Sequence, residues 1–140
     1  MDKEVEAKAQ LWMDNVSEAD LKAELDELME PGNEEKLNDA FYRDLDFGTA
    51  GLRGTLGVGT NRMNIYVVAQ ATQGVANYLN AHYDHPSLAL ARDSRLKGED
   101  FQKVAAGVLA ANGVKVFVYP RIEPVPALSF AVRYLHASAG

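Results

Sequence analysis

The sequence contains no cysteine, which excludes disulfide bonds, thiolate metal ligands and a cysteine nucleophile. It also has no apolar run close to the roughly 18 residues that are needed to span a bilayer. The amino terminus, Met-Asp-Lys-Glu-Val-Glu, is acidic and has neither the basic start nor the apolar core of a signal peptide. These absences predict a soluble, cytoplasmic protein with no membrane segment.

A surplus of positive charge is also missing, because the 140 residues carry a net charge of −6. That balance argues against a general nucleic-acid or anionic-membrane binder. The charge is uneven, however: residues 1–46 hold 15 acids and 5 bases, whereas residues 47–140 hold 5 acids and 9 bases. With 47% apolar and 24% charged residues, the chain has the composition of one soluble globular domain. We expect its mildly basic part to suit a small anionic ligand.

Three familiar site motifs are absent. The dinucleotide fingerprint Gly-x-Gly-x-x-Gly fails because Arg62 stands where a third glycine should follow Gly57 and Gly59. There is no Gly-Lys-Ser or Gly-Lys-Thr of a P-loop, and no Gly-x-Ser-x-Gly surrounds Ser138. We expect Ser138 to lie in a frayed terminus, which would spoil catalytic geometry.

Histidines are few, and they do not form a convincing metal site. His82 and His85 bracket Asp84, but the two histidines give at most two ligands and lie at a predicted helix end. We interpret them as a solvent-exposed helix terminus. His136 has no identifiable partner in the sequence, so no metal ligand is predicted in this chain.

The first 46 residues have the spacing of amphipathic helices. Ser17 opens a capping-box-like sequence, and Asn33 is placed to cap a second helix after a Pro-Gly break. The apolar positions of the two helices recur every three or four residues: Leu21, Leu25 and Leu28, then Leu37, Phe41 and Leu45. We expect a helical pair packed on the main body, with a partner-binding arm as the alternative.

From Phe47 onward the chain alternates between strand and helix patterns. Five glycines fall within residues 48–59, too many for a helix. Apolar periodicity and β-branched runs then predict five elements: helices at 64–83, 98–111 and 127–137, and strands at 88–92 and 114–119. Crossovers of about twenty residues between strands are typical of a largely parallel α/β sheet.

The glycine-rich segment contains a candidate anion site at Arg53, which lies between Gly51 and Gly54. Small neighbours let backbone amides and a guanidinium approach one anion together, as phosphate recognition requires. The alternative is a tight turn that leaves Arg53 in solvent.

A second candidate anion site follows the predicted strand at 88–92, where Arg92, Asp93, Ser94 and Arg95 are consecutive. Ligands of open α/β sheets bind beyond the carboxyl ends of the strands. The alternative is a strand-to-helix turn that is capped by Asp93 or Ser94 and leaves the arginines in solvent.

Several motifs, in order and at consistent spacing, resemble the first domain of the α-D-phosphohexomutases, nearest to the phosphoglucomutase and phosphopentomutase branch. They are the runs Phe47-Gly-Thr-Ala-Gly-Leu-Arg-Gly54 and Gly57-Val-Gly-Thr-Asn-Arg-Met-Asn64, then Thr72-Gln-Gly74, Asp93-Ser-Arg95, Ala110-Ala-Asn-Gly-Val-Lys-Val-Phe117 and Pro126-Ala-Leu-Ser-Phe-Ala-Val-Arg-Tyr134. The resemblance covers about residues 34–140. It implies a three-layer α/β/α domain with a mostly parallel, mixed sheet over residues 47–140, preceded by a helical extension over residues 1–46.

The resemblance also implies an activity. Members of the family are isomerases of the intramolecular phosphotransferase type, which move phosphate between the 1- and 6-hydroxyls of a hexose in glucose metabolism. They use a phosphoserine, Mg²⁺ and a bisphosphorylated sugar. By resemblance, Arg53 contacts phosphate, Thr49 and Gly51 shape the turn that presents Arg53, and Asp93 and Arg95 support the neighbouring loop or its phosphate.

The sequence departs from the family by ending at Gly140, before the Thr-Ala-Ser-His-Asn-Pro loop whose serine carries the phosphate. The metal loop and the sugar-specificity loop are missing too, so no catalytic residue is assigned. We expect an incomplete first domain that is inactive alone and works with the remaining domains of a longer phosphohexomutase. The alternatives are a non-catalytic module that binds a phosphosugar or a protein partner, and a marginally folded chain that associates through exposed apolar surface.

Overall fold

A computed structural model describes residues 2–49 and 51–140 of the chain. By its internal contacts the chain divides into two compact units, residues 1–67 and residues 68–140, which are described in turn. The first unit contains α1 (Lys3–Asn15), α2 (Ala19–Leu28), α3 (Glu34–Phe41) and the short strands β1 (Phe47–Gly48) and β2 (Gly51–Leu52). Helix α4 (Ile65–His82) begins in the first unit and continues into the second. The second unit adds β3 (Ser87–Leu90), α5 (Gly98–Ala111), β4 (Lys115–Val118) and α6 (Val125–Tyr134).

The three amino-terminal helices enclose a core of their own. Seven apolar residues are buried there: Val5, Ala9, Leu25, Leu37, Ala40, Phe41 and Val58. The Trp12 ring packs edge-on against Phe41 at 5.6 Å between centroids and against Tyr66 at 5.5 Å. Because Val58 belongs to this core, the amino-terminal helices and the glycine-rich segment form one packed unit.

The helix starts differ from the sequence prediction. Asp2 caps α1 by accepting the backbone N–H of Glu4 at 3.0 Å. The predicted capping box at Ser17 is wrong, because α2 is preceded by Glu18 and the Ser17 hydroxyl donates to the Glu18 carboxylate instead. The Ser17 backbone N–H donates to the Tyr66 hydroxyl, which in turn donates to Glu18. Hydrogen bonds with Tyr66 of α4 therefore occupy polar groups of Ser17 and Glu18 that a local helix cap would use.

Helix α3 is shorter than its apolar spacing predicts. Asn33 precedes it, but the Asn33 amide donates to the carbonyl oxygen of Glu27 at 2.8 Å and does not cap the helix. The helix ends at Phe41, so Leu45 lies outside it. The backbone N–H of Leu45 donates to the carbonyl oxygen of Thr60 at 2.9 Å. The prediction that Leu45 continues the helix is wrong because this long-range hydrogen bond replaces a helical one.

The second unit is built on parallel strands. Strand β3 pairs with β4 in parallel register from Ser87 opposite Lys115 to Leu90 opposite Val118, and Leu88 also makes a parallel bridge to Ala139. Helices α4 and α5 share an apolar core with β3 through Ala76, Leu79, Leu88, Leu109 and Val114. The predicted α/β class, with amino-terminal helices and a mainly parallel sheet, is confirmed. The boundary between residues 46 and 47 stays a prediction.

The carboxyl-terminal region is more ordered than the sequence suggests. Pro126 lies in the first turn of α6 as predicted, but the helix ends at Tyr134, before a positive φ of 52° at His136. The Ser138 backbone N–H donates to the Ser87 carbonyl oxygen at 2.8 Å, and the Ser138 hydroxyl accepts the Ser87 N–H at 3.2 Å. The expected fraying at Ser138 is therefore wrong, because β3 provides partners for it. No helix in the described part of the chain is long and apolar enough to cross a membrane.

Candidate functional site

A tight hairpin presents Arg53. Strands β1 and β2 pair antiparallel with Phe47 opposite Leu52 and Gly48 opposite Gly51, so Thr49 lies at the turn. Gly51 has a φ of +96°, a conformation that side chains with a Cβ rarely adopt. Arg53 follows directly after β2 and is exposed. The structure thus places Thr49, Gly51 and Arg53 on one hairpin.

The Arg53 guanidinium is free within the described part of the chain, where no residue hydrogen bonds to it or forms an ion pair with it. A guanidinium carries five N–H donors in a planar fork that matches two oxygens of a phosphate. An exposed cation on a hairpin can therefore bind a phosphate without first giving up an internal partner. The alternative prediction, a tight turn that leaves Arg53 in solvent, fits the same geometry and requires no ligand.

Residues 57–64 connect this hairpin to α4, and their backbone lies close to the amino-terminal helices. At Gly59 a Cβ would lie 2.4 Å from the Ala40 carbonyl oxygen, and φ there is +126°. The Val58 N–H donates to the Glu24 carboxylate at 3.2 Å, and the Asn61 N–H donates to the Ala40 carbonyl oxygen at 2.9 Å. The segment is therefore fixed by hydrogen bonds to α2 and α3.

Two buried asparagines complete this anchorage. The Asn64 amide donates to the carbonyl oxygens of Gly57 and Gly59 at 2.9 and 3.0 Å, and its side-chain oxygen accepts the Val67 N–H at 2.9 Å. Asn61 donates to the Asp39 carbonyl oxygen at 2.9 Å and accepts from Arg43. Sequence reasoning did not assign either side chain a structural role. Asn64 has the local signal of a helix cap, whereas the partners of Asn61 lie far away in the sequence.

The second predicted cluster, after β3, forms a turn. The Arg95 N–H donates to the Asp93 carboxylate at 3.1 Å, and the Arg95 Nε lies 3.1 Å from the other Asp93 oxygen. Neither Asp93 nor Ser94 caps α5, whose preceding residue is Lys97. Asp93 and Arg95 are thus brought together, and Arg95 remains 84% exposed.

Arg92 faces the adjacent helix α5. Its Nε donates to the Gln102 side-chain oxygen at 3.2 Å, and its Nη2 lies 3.9 Å from the Glu99 carboxylate. A hydrogen bond from Lys103 and the charges of Lys103 and Arg92 lower the pKa of Glu99. Both arginines have a side-chain partner, but Arg92 is 20% exposed and Arg95 is 84% exposed, so Arg92 is the less accessible of the two to a ligand.

A cleft in the first unit has more acidic than basic side chains, and the described residues contain no cluster of metal ligands. The cleft has a volume of about 340 Å³ and lies between α2, α3 and residues 58–62. It is lined by three acids, Glu24, Glu35 and Asp39, and by two bases, Lys36 and Arg62, so its net negative charge disfavours phosphate. The described residues contain no group of three or more His, Asp or Glu that could hold a metal ion. His82 stacks on Tyr78 at 4.1 Å between ring centroids.

Comparison with known proteins identifies the family. Residues 44–140 match the family model described as phosphoglucomutase/phosphomannomutase, alpha/beta/alpha domain I. A phosphoglucomutase of Staphylococcus saprophyticus is 38% identical over 130 residues, which are 93% of this chain and 23% of that protein. A phosphoglucomutase of Staphylococcus haemolyticus is 41% identical over 100 residues (71% of this chain and 18% of that protein), and one of Staphylococcus aureus is 34% identical over 140 residues (100% and 24%).

The chain spans about a quarter of the length of the relatives that it matches over most of its residues. No solved structure matches it. The family match includes the hairpin with Arg53 and the turn with Asp93 and Arg95. The chain belongs to the phosphoglucomutase/phosphomannomutase family, whose α/β/α domain I accounts for residues 44–140.

Proposed function

We propose that this chain acts as the first domain of a phosphohexomutase of the phosphoglucomutase type, in which Arg53 binds a phosphate of the sugar substrate. The observation that carries the proposal is the unpaired, exposed Arg53 guanidinium on the β1–β2 hairpin, within the segment that matches the family. Phosphoryl transfer depends mostly on positioning and on neutralising charge. An arginine on a hairpin anchored to a packed unit supplies both.

Thr49 and Gly51 shape the turn that presents Arg53, because Gly51 provides the positive φ that the hairpin needs. Asp93 and Arg95 form a second phosphate-supporting group. By holding the Arg95 Nε, the Asp93 carboxylate orients the guanidinium and leaves its two terminal nitrogens for a ligand. The local geometry of each loop supports the roles that we propose for its residues.

The proposal assigns the remaining chemistry to parts of the enzyme outside this chain. The described residues contain no group of three or more His, Asp or Glu that could hold a metal ion, and we propose that Mg²⁺, which neutralises phosphate charge in the family, takes its ligands from the remaining domains. The phosphoserine and the sugar bisphosphate likewise belong to the complete enzyme. We expect the isolated chain to be inactive, and we place the complete enzyme in the cytoplasm.

A chimaera tests the proposal directly. This chain replaces the matching segment of the Staphylococcus saprophyticus phosphoglucomutase, and the conversion of glucose 1-phosphate to glucose 6-phosphate is measured. Arg53→Ala should lower kcat/KM about tenfold to a hundredfold, because a hydrogen bond to a charged group contributes about 1.5–3 kcal/mol. Arg53→Lys should recover only part of the loss, since lysine keeps the charge without the planar fork.

The matched control is Arg133→Ala, which removes another exposed arginine, from α6. Equal kinetics for the Arg53→Ala and parent chimaeras would refute the role of Arg53. An inactive chimaera whose chain still binds glucose 1-phosphate through Arg53, as followed by NMR titration of the isolated chain, would favour the non-catalytic binding module.

A further inference from the structure

Leu45 occupies the space beside Gly54, the residue that follows Arg53. A Cβ on residue 54 would lie 2.9 Å from Leu45 Cδ1 and 3.0 Å from Leu45 Cδ2. Gly54 does not have the positive φ of its neighbour Gly51, so its backbone conformation alone does not require glycine. A side chain at residue 54 would therefore require the Leu45 side chain to shift.

Leu45 is itself fixed to the amino-terminal helices. Its backbone N–H donates to the Thr60 carbonyl oxygen at 2.9 Å, and the Thr60 hydroxyl donates to the Arg43 carbonyl oxygen at 2.7 Å. These two bonds tie the segment after α3 to residue 60, whose neighbour Asn61 is bonded to Asp39 and Ala40. The Leu45 backbone is therefore tied to the folded helices at the place where its side chain meets Gly54.

We propose that Leu45 is a positioning residue, through which the amino-terminal helices hold the Arg53 loop in the conformation that binds phosphate. This inference rests on the proposed function of Arg53. A loop that is ordered before the ligand arrives does not lose conformational entropy on binding, so pre-ordering raises affinity. The amino-terminal helices then support the phosphate site through Leu45.

A purely structural role for Leu45 gives a different expectation. If the side chain only adds apolar burial, Leu45→Ala lowers the stability of the first unit and leaves ligand affinity of the folded protein unchanged. Leu28 is the matched control because it is half buried, as Leu45 is, and it packs against the amino-terminal core. Leu28 belongs to α2 and is separated in sequence from both Leu45 and Gly54.

NMR on the 140-residue chain separates the two roles, with glucose 1-phosphate as the probe and circular dichroism to confirm that each variant is folded. Leu45→Ala should weaken binding about tenfold, the effect expected from ordering roughly one further residue on binding. It should also lower the order parameters of the backbone amides of residues 53–55. Leu28→Ala should change neither quantity, and Leu45→Met, which nearly conserves volume, should restore both.

Order parameters for residues 53–55 that are equal in Leu45→Ala and the parent chain would overturn the inference, and this result does not depend on any ligand. Equal losses of affinity in Leu45→Ala and Leu28→Ala would overturn it as well. If Arg53→Ala leaves binding unchanged, the proposed function fails instead, while the order parameters still decide whether Leu45 fixes the loop.

Discussion

Replacing Gly59 with alanine should strongly destabilise the first unit. The new Cβ would lie 2.4 Å from the Ala40 carbonyl oxygen and 3.0 Å from the Ala40 carbonyl carbon, at a residue whose φ is +126°. A strained backbone conformation of this kind costs about 1–3 kcal/mol. The clash adds about 1–3 kcal/mol, as for overpacking a core, because the neighbouring atoms belong to the backbone of α3 and cannot rotate away. We expect a total loss of about 2–6 kcal/mol in the free energy of unfolding.

Two glycine controls separate the strain from the clash in urea unfolding followed by circular dichroism. Gly32 has a φ of +98°, and no atom lies within 4 Å of the position that a Cβ would take there, so Gly32→Ala should show the strain of about 1–3 kcal/mol alone. Gly107 lies inside α5 with open space around it and without a positive φ, so Gly107→Ala should stabilise by about 0.5–1 kcal/mol. A Gly59→Ala chain no less stable than Gly32→Ala would refute the argument from close approach.

Two further predictions concern polar groups outside the candidate site. The hydrogen bond from Tyr66 lowers the pKa of Glu18, so it stabilises the fold above the unfolded pKa of about 4.5 and this contribution disappears as the pH falls through the folded pKa. Tyr66→Phe should therefore destabilise the chain near pH 7, with a difference that shrinks below pH 4.5 in urea unfolding; a pH-independent difference would contradict this reasoning. The Asn112 side chain exchanges hydrogen bonds with Gln73 at 2.8 and 2.9 Å, directly before Gly113. Gln73→Ala should leave the Asn112 side chain with only its hydrogen bond to the Val108 carbonyl oxygen, which eases attack by the Gly113 nitrogen and speeds deamidation, measured as a mass gain on intact protein. A rate equal to that of the parent chain would show that the pair with Gln73 does not protect Asn112.

Local signals predicted the second unit well. Strands β3 and β4 and helices α4 and α5 lie close to the ranges that periodicity and β-branched content give, because in each case local preference and burial agree. In the first unit, the five glycines within residues 48–59 likewise exclude a helix from the sequence alone. The α/β class could therefore be predicted from the residues themselves.

The contacts that fix the candidate site could not be predicted in this way. Leu45 fits the helical spacing of Leu37 and Phe41, yet a hydrogen bond to Thr60 and the space beside Gly54 determine its place. Ser17 has the residue type of a cap, but Tyr66 takes its backbone N–H. These partners are 9 to 49 residues away in the sequence, so a short sequence pattern cannot predict the contacts. The roles of Arg53, Asp93 and Arg95 stay predictions.

The single tryptophan of the chain lies in the first unit, between the rings of Phe41 and Tyr66. Its fluorescence therefore reports the melting of the helical unit that anchors the Arg53 hairpin. The second unit contributes to circular dichroism but contains no indole. If the two optical signals change at different urea concentrations, the two units unfold in separate steps, and the emission curve alone gives the stability of the unit that presents Arg53.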